Sequence, residues 1–288
     1  MSAVALLRPD PDGRFHVLAL SGGKDSTALA LELRDREPRV YNYVCTPTGD
    51  EPEAMFAHWR DLGERLGSRI IPVVATWTGK QSGNIESGLD ALIDREGTVP
   101  NRRLRFCTRV LKIEPYRAFL LEATGLAPVV SYVGLRADEE GRAGGAFNDI
   151  PGVEMRFPLR EWGYDEARVL AELDHRRVSI PIRTDCRKCY AQQIGEWYLL
   201  WLEDRQEFEN AIRIEKDRGA TFREPKFDDK GWPVVVSRYG HTYFASSRDT
   251  WPAHLEDLGI IFASGVIPPT AKVQRDLFRS GDCRVCAM

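Results

Sequence analysis

The chain has 288 residues, which is long enough for one large α/β domain and a smaller additional part. Its formal net charge of −3 excludes the global basic field that would by itself indicate nucleic-acid binding. No run approaches the ~20 apolar residues of a membrane span, and residues 1–12 lack the apolar core of a signal peptide. We therefore expect a cytoplasmic protein with no membrane partner.

Short apolar runs alternate with segments of helical periodicity through the first half of the chain. The predicted strands are residues 15–20, 40–45, 70–74 and 129–133. The predicted helices are residues 27–33, 51–66, 85–96 and a segment that ends near residue 122 with Pro115 in its first turn. This alternation predicts an α/β fold in which helices cover both faces of a twisted parallel sheet.

Later segments predict further helices and then a change of composition. Helices are expected at residues 165–173, 192–202 and 205–218, and short strands at 234–236 and 239–244. We predict a nucleotide-binding domain at residues 1–220 and a small α+β appendage at 221–288. The aromatic residues of the 192–202 helix are expected in a hydrophobic core rather than on a base-stacking surface; they are Trp197, Tyr198 and Trp201.

Residues 21–26 have the layout of a phosphate-binding loop, because they follow a predicted strand and precede a helix. The adjacent Gly22 and Gly23 let backbone N–H groups approach an anion, and the helix N-terminus adds partial positive charge. The spacing matches neither the Walker A loop nor the dinucleotide-binding motif. The polar side chains available to a ligand are Ser21, Lys24, Asp25 and Ser26.

Ligands of parallel sheets bind beyond the carboxyl ends of the strands, so the loops after the other strands also matter. Thr48 and Gly49 follow the second strand, and Gly134, Arg136 and Arg142 follow the fourth. The glycines and charges of residues 134–145 predict a segment that orders when a ligand binds.

The densest basic stretch is residues 102–117, which suits a nucleotide phosphate or a nucleic-acid backbone. Within it, Arg105, Arg109 and Lys112 are the predicted nucleotide contacts. The alternative is that several of these side chains simply face solvent near a helix N-terminus.

Four motifs, at residues 21–26, 48–51, 105–115 and 134–142, resemble successive motifs of one branch of the PP-loop ATP pyrophosphatase superfamily. That branch is the phosphoadenosine phosphosulfate (PAPS) reductase-like family, which includes sulfonucleotide reductases, the ATP pyrophosphatase of DNA phosphorothioation and phage-borne relatives. The resemblance covers roughly residues 15–200 and implies a fold of the adenine nucleotide alpha hydrolase type.

The resemblance implies an enzyme that cleaves ATP between its α- and β-phosphates, with Mg²⁺, to adenylate a substrate. The implied reaction is sulfur transfer or a related substitution, with nucleic acid and a sulfur-donor protein as possible partners. The loop amides and the side chains of Ser21, Lys24 and Ser26 would hold pyrophosphate, and Arg136 and Arg142 would clamp phosphates. Asp25 would ligate Mg²⁺ or, alternatively, cap the following helix. Glu139 or Glu140 would orient the arginines or remain solvated.

Two other functions stay open. A PAPS or adenosine phosphosulfate reductase is the second hypothesis, although the chain lacks the short Glu-Cys-Gly-Leu-His tail that such reductases use. A zinc-knuckle nucleic-acid-binding module is the third.

Four of the six cysteines form two C-x-x-C pairs, Cys186/Cys189 and Cys283/Cys286. Together the pairs would complete a Cys₄ site for Zn²⁺ or an iron–sulfur cluster. Alternatively, Cys107 with Cys186, Cys189 and one tail cysteine resembles the 4Fe–4S pattern of adenosine phosphosulfate reductases, which carry a cysteine doublet where this chain has Cys107 and Thr108. Unliganded buried thiols are the third interpretation.

Overall fold

A five-stranded parallel sheet lies at the centre of the fold in the computed structural model, which describes residues 2–79, 83–139, 141–142 and 147–269. The strands are β1 (Phe15–Ala19), β2 (Tyr41–Cys45), β3 (Ile70–Pro72), β4 (Thr76–Thr78), β5 (Ile85–Ser87), β6 (Val129–Tyr132), β7 (Val153–Arg156), β8 (Val235–Arg238) and β9 (His241–Phe244). The central sheet has the order β3-β2-β1-β6-β7, and all neighbouring strands are parallel. The predicted α/β class is confirmed.

The helices flank this sheet and continue beyond it. They are α1 (Lys24–Arg36), α2 (Glu53–Leu66), α3 (Leu89–Glu96), α4 (Phe106–Thr108), a π-helical turn (Arg109–Ile113), α5 (Glu114–Thr124), α6 (Pro158–Glu161), α7 (Glu166–His175), α8 (Ile194–Glu203), α9 (Arg205–Arg218) and α10 (Leu255–Ala263), with a 3₁₀ turn at Ala3–Leu6. No helix in the described part of the chain combines the length and the apolar character needed to cross a bilayer.

Alternating side chains of β1 enter the two cores that sandwich the sheet. Val17 and Ala19 pack in the core with Phe119 of α5, whereas Leu18 and Leu20 pack in the core with residues of α1, α2 and α7. Val17, Leu18 and Ala19 of β1 are buried, as is Leu20 directly after it, and burying an aliphatic side chain of Val or Leu size contributes about 1.5–3 kcal/mol. This burial on both faces fixes the direction of β1 and therefore the position of the loop that follows it.

A third core lies away from these two and joins α3, α8, α9, α10 and the β8–β9 hairpin. Trp197 is fully buried there beside Phe208 and Phe222, and Tyr198 and Trp201 pack against the same core. The expectation that these aromatic residues belong to a core is therefore confirmed. Helices α8 and α9 precede the predicted domain boundary at residue 220, yet they share this core with α10, which follows it.

The predicted helix at residues 85–96 is wrong at its start. Residues Ile85–Ser87 form β5, which pairs with β4 in an antiparallel hairpin, and the helix begins at Leu89. Gly88 separates the two elements with a φ of +88°, a backbone conformation that the α-helix excludes. The strand β7 and the helix α10 were not predicted.

The strand order places a topological switch point beside β1. The chain runs outward from β1 to β2 and β3, and then returns to β6 on the other side of β1. In sheets of this type a crevice opens where the loops after the two central strands diverge. Here those loops begin at residue 20, after β1, and at residue 133, after β6.

Candidate functional site

The loop of residues 21–23 joins β1 to α1 at the switch point. Gly22 has a φ of +85°, which favours glycine over any L side chain. A Cβ at this position would lie 2.6 Å from Met55 Cε and 2.6 Å from Trp59 Nε1 of α2. The conformation of Gly22 therefore favours glycine, and a larger residue would also have to displace the Met55 and Trp59 side chains.

Two serine hydroxyls hold the loop in shape. The Gly22 N–H donates to Ser26 Oγ at 3.1 Å, and the Gly23 N–H donates to Ser21 Oγ at 3.3 Å. Ser26 Oγ in turn donates to the Gly23 carbonyl at 3.2 Å. The predicted cradle residues thus form one hydrogen-bonded unit, and its two loop amides are directed at the serine oxygens.

Lys24 and Asp25 occupy the first turn of α1 and face different neighbours. Lys24 is buried, and its Nζ lies 3.2 Å from the Glu166 carboxylate at the start of α7. Asp25 accepts from the Arg136 guanidinium at 3.0 and 3.1 Å. Gly23 occupies the N-cap position of α1, so the interpretation of Asp25 as the helix cap is wrong.

Partial burial affects the pKa values of both Asp25 and Arg136. Burial raises the pKa of Asp25, and the charges of Lys24 and Arg136 only partly offset this effect. Burial also opposes the charge on Arg136, but Asp138 and Asp25 outweigh it, so the pKa of Arg136 is raised. Arg136 therefore presents a permanent positive charge beside the loop.

Gly134 brings the β6 loop against the β1 loop. A Cβ at Gly134 would lie 3.0 Å from the Ser26 nitrogen and 3.1 Å from the Asp25 carbonyl carbon. Both are backbone atoms and cannot rotate away, so any larger residue would force the two loops apart by a few tenths of an ångström. The predicted sites after β1 and β6 consequently meet at the switch point, with Arg136 placed just beyond Gly134.

Arg142, the second predicted phosphate clamp, pairs with Glu139. Glu139 also accepts from the backbone N–H of Arg136 at 3.2 Å. Glu139 thus contacts both predicted arginines, as the first of the two interpretations of this residue requires. Glu140, the other acid considered, lies outside the described residues.

The loop after β2 forms a turn around Glu51. The Glu51 carboxylate accepts from the Thr48 N–H at 2.7 Å, from the Thr48 hydroxyl at 2.7 Å and from the Gly49 N–H at 3.0 Å. Gly49 has a φ of +77° and lies against the backbone of Gly88. Thr48 and Gly49 were predicted to contact the nucleotide; in the structure their polar groups build this turn.

Asp50 connects the same turn to the first cysteine pair, a contact that the sequence did not predict. Its carboxylate accepts from the Lys188 N–H at 2.9 Å and from Lys188 Nζ at 2.6 Å. Its carbonyl accepts from the Arg187 N–H at 2.8 Å. Lys188 is only 1% exposed, and its ammonium also lies near Asp90 and Glu207. We call this set of contacts the Asp50 clamp.

Three cysteines from two distant segments line one small cavity of about 20 Å³. The other polar groups at this cavity include the side chains of Thr48, Lys112 and Asp185. Thr48 Oγ1 lies 3.1 Å from Cys186 Sγ. Burial raises the pKa of Cys186 to about 12, and it also raises the pKa of Cys107 and Cys189. The structure therefore brings Cys107 together with Cys186 and Cys189, whereas Cys283 and Cys286 lie outside the described residues.

The donor set at this cavity has the chemistry of a thiolate-liganded metal site. A tetrahedral zinc site places its sulfur atoms about 3.8 Å apart, as follows from Zn–S bonds of about 2.3 Å. Among described residues, the group whose ligand atoms all lie within 4.8 Å of one another is Asp10, Asp12 and His16, not the cysteines. The three thiols are thus spaced more widely than a closed zinc site. A cavity of about 20 Å³ has room for little more than one water molecule. The residues that line it would therefore have to move to admit a zinc ion or an iron–sulfur cluster.

The group of Asp10, Asp12 and His16 lies at the amino-terminal edge of β1, away from the switch point. Asp12 pairs there with His16, with Arg14 at 3.2 Å and with Arg39 at 3.1 Å. Because Arg14 and Arg39 already pair with Asp12, the group is a structural ion-pair network.

The basic stretch at residues 102–117 does not form one surface. Arg109 pairs with Glu114 at 2.5 Å, and Arg105 hydrogen-bonds Tyr190. Lys112, in the π-helical turn, is buried at the cysteine cavity. Arg105, Arg109 and Lys112 were predicted to contact the nucleotide. The partners found for them in the structure lie outside the loop of residues 21–26.

The remaining cations of the stretch diverge as well. Arg103 pairs with Glu224 at 3.2 Å, and Arg117 pairs with Asp149 at 2.6 Å. Each of these two charges thus has its own acidic partner.

No protein-family model and no curated protein matches this chain. Solved structures do resemble it. A phosphoadenylyl-sulfate (PAPS) reductase from Candida auris, in a phosphate complex, is 13% identical with a TM-score of 0.41, and the match covers 58% of this chain and 74% of that one. The U34-tRNA thiolase NcsA from Methanococcus maripaludis, with its [4Fe-4S] cluster, is 15% identical with a TM-score of 0.42, and the match covers 75% and 72%. At these identities and TM-scores, neither protein's activity transfers to this chain.

Proposed function

We propose that this chain is an ATP-dependent PP-loop enzyme of the PAPS reductase-like branch, which releases pyrophosphate and adenylates a substrate for sulfur transfer. The observation that supports this most directly is the convergence at the switch point. There the glycine-rich loop, Gly134 and the Arg136–Asp25 pair meet at one crevice.

The residues of the crevice have distinct roles in this proposal. The amides of Gly22 and Gly23 exchange their serine oxygens for phosphate oxygens, and the α1 N-terminus adds partial positive charge. Arg136 leaves Asp25 for the phosphates, because a bidentate guanidinium binds a phosphate as well as it binds a carboxylate. This exchange frees the Asp25 carboxylate, an oxygen ligand of the type that Mg²⁺ takes together with phosphates.

Phosphoryl and adenylyl transfer depend mainly on stabilisation of negative charge. The protein therefore contributes by positioning cationic and N–H groups around the phosphates. The pyrophosphate that leaves carries more negative charge than the bound triphosphate segment from which it forms. Arg136 can meet that charge while Asp138 still accepts a hydrogen bond from its Nε, which lies 2.9 Å away in the structure.

The second part of the proposal is a metal site at the three cysteines. Cys107, Cys186 and Cys189 would hold Zn²⁺ or a 4Fe–4S cluster, with the tail cysteines Cys283 and Cys286 available to complete the set. A cluster there would supply sulfur chemistry, and a zinc ion would supply a fixed anchor for the tail. The buried Lys112 beside the thiols balances the negative charge of thiolate ligands in either case.

The proposed acceptor substrate is a nucleic acid, and the proposed partner is a sulfur-donor protein. Arg103 is 86% exposed and borders the C-terminal part through Glu224, which leaves a cationic group accessible to a phosphate backbone.

The test incubates the full chain with ATP, Mg²⁺ and pooled tRNA or single-stranded DNA. We expect release of pyrophosphate and an adenylated acceptor detected by mass spectrometry. Lys24→Met should lower pyrophosphate release at least about tenfold, as loss of a charge contact worth about 1.4 kcal/mol does. The matched control, Arg168→Met, removes a cation from α7 that pairs with Glu172. Release of ADP and phosphate instead of pyrophosphate would refute the proposal.

A second function, reduction of a sulfonucleotide, is favoured by one observation. Cys107 lies with Cys186 and Cys189 at a single cavity, as the adenosine phosphosulfate reductase pattern requires. Supplying adenosine phosphosulfate or PAPS with a thiol reductant separates the two functions, because a reductase releases sulfite and needs no ATP.

A further inference from the structure

Arg160 of α6 hydrogen-bonds three backbone carbonyls of the segment that carries Arg136 and Arg142. Its Nε donates to the Arg136 carbonyl at 3.3 Å, and its Nη2 donates to the Glu139 carbonyl at 2.8 Å. Nη2 also donates to the Arg142 carbonyl at 2.5 Å. A planar guanidinium can serve three acceptors that lie around it, whereas an ammonium on a flexible stem cannot hold such a set rigidly.

Helix α6, which carries Arg160, is anchored in the hydrophobic core. Pro158 lies at the start of α6, and the neighbouring Leu159 is fully buried in the core with α1 and α7. The Phe157 ring lies 5.6 Å from the guanidinium carbon of Arg160. The Arg160 side chain therefore extends from the sheet core to the loop rather than from one loop to another.

The segment whose carbonyls Arg160 contacts places the Arg136 side chain at the phosphate-binding loop. Arg136 reaches the Asp25 carboxylate at 3.0 Å, across a separation of more than 100 residues in the sequence. The Ala137 N–H donates to the Tyr164 carbonyl at 2.8 Å, so a second bond ties the segment to the same region. The position of the Arg136 guanidinium thus depends on the backbone that Arg160 holds.

We propose that Arg160 is a positioning residue that fixes the backbone at Arg136, Glu139 and Arg142 so that the Arg136 guanidinium stays at the phosphate-binding loop. This inference rests on the proposed function, in which Arg136 contacts phosphate. Arg160 acts through Arg136 and itself touches neither ligand nor reacting atoms.

The experiment compares Arg160→Met and Arg160→Lys with the control Arg168→Met in the full chain. Binding of pyrophosphate and of ATP is measured by calorimetry, and hydrogen exchange is measured in peptides that cover residues 134–139. For Arg160→Met we expect about tenfold weaker binding, which corresponds to 1.4 kcal/mol, and faster exchange in those peptides. Arg160→Lys should recover part of the affinity, and the melting temperature of all three variants should stay near that of the wild type.

A double-mutant cycle separates this role from a general effect on stability. If Arg160 acts through Arg136, then Arg160→Met should not weaken binding further in an Arg136→Met background. Additive losses, or unchanged hydrogen exchange in Arg160→Met, would overturn the inference. If the wild type binds neither pyrophosphate nor ATP, the proposed function fails, and hydrogen exchange alone still decides whether Arg160 holds the segment.

Discussion

Gly134 and Gly141 follow the same strand, yet a methyl group meets very different surroundings at the two positions. At Gly134 it would lie 3.0 Å from a backbone nitrogen of α1, and at Gly141 nothing lies within 4 Å. The pair therefore separates the effect of crowding the phosphate-binding loop from the effect of stiffening the segment after β6.

We expect Gly134→Ala to weaken the binding of pyrophosphate or ATP by at least about tenfold. The added Cβ forces the first turn of α1 away from the β6 loop, at a cost of about 1–3 kcal/mol in the free energy of unfolding. Calorimetric titration and urea unfolding measure the two effects. Gly141→Ala should leave both values near those of the wild type, and equal losses in the two variants would contradict the explanation.

At the scale of single residues, the sequence predicted the position of the phosphate-binding loop but not the contacts that each of its residues makes. It could not tell which of the two glycines has the restricted backbone; Gly22 has a φ of +85°, whereas Gly23 has a φ of −72° that any residue adopts. It also could not reveal that Lys24 pairs with Glu166 or that Arg160 holds the backbone at Arg136 and Glu139, because these partners are far apart in the chain. No local pattern encodes such contacts.

The loop after β2 and the cysteine loop behave as a single unit because of the Asp50 clamp. Lys188 is buried with three carboxylates around it, and Asp50 also accepts from its backbone N–H. Burial disfavours a charged ammonium, but Asp50 and Asp90 outweigh it and raise the pKa of Lys188. The basic residues between Cys186 and Cys189, Arg187 and Lys188, thus serve this clamp.

Asp50→Asn should destabilise the protein by roughly 3 kcal/mol, the loss typical of breaking a buried ion pair from one side. The cysteine loop should also open locally, because the single amide oxygen of Asn cannot accept from both the N–H and the ammonium of Lys188. Alkylation of Cys186 and Cys189 under native conditions measures the opening, and we expect it to become several-fold faster. The control is Asp61→Asn, which breaks an exposed pair with Arg65 on α2. Alkylation rates equal to those of the wild type would show that the clamp does not hold the loop.

The cysteine cavity predicts which thiols share a bound metal. Cys107→Ser, Cys186→Ser and Cys189→Ser should each lose most of the metal that the purified chain carries, because all three thiols line one cavity. Elemental analysis and an absorption spectrum give content and identity. Cys45→Ser is the control, since Cys45 is a buried thiol at the end of β2. If Cys107→Ser retains its metal while Cys186→Ser loses it, Cys107 is not a ligand.

The elements themselves were largely predictable because periodicity is local. The strands β1, β2 and β6 and the helix α9 follow their apolar patterns closely. The hairpin of β4 and β5 escaped prediction because its strands have three residues each and mostly exposed side chains. The strand β7 escaped for a related reason, since it lies at the sheet edge and is only partly buried.

At the scale of the whole molecule, Glu215 joins the elements of the third core. Its carboxyl group accepts from the Phe222 N–H at 2.9 Å and from the Leu255 N–H at 2.8 Å, at the start of α10. Burial raises the pKa of Glu215 from 4.5 to about 8, which the two backbone hydrogen bonds only partly offset. The sequence could not reveal this residue, since its partners come together only when the core forms.

The raised pKa of Glu215 predicts a specific dependence of stability on pH. The folded state binds this proton more tightly than the unfolded state, so the stabilisation is complete below about pH 4.5 and is lost as the pH rises through about 8. Urea unfolding at pH 6 and pH 9 should show a larger fall in the wild type than in Glu215→Gln, which cannot titrate. The variant should also be less stable at pH 6 by about 1–3 kcal/mol, because its amide nitrogen cannot accept from a backbone N–H. Parallel pH curves for the two proteins would contradict this account.

The separation of the third core from the sheet has a consequence for partial unfolding. Cys107 and Cys186 pack against that core, whereas the loop at Gly22 rests on the sheet and on α2. Cooperative units of a protein open at different free energies, so loss of the third core alone would expose these thiols while the sheet stays intact. On heating, we expect thiol trapping detected by mass spectrometry to rise before the circular dichroism of the sheet is lost. Simultaneous transitions would show one unit. A chain built this way carries, in its own cysteines, a chemical reporter of the first step of its denaturation.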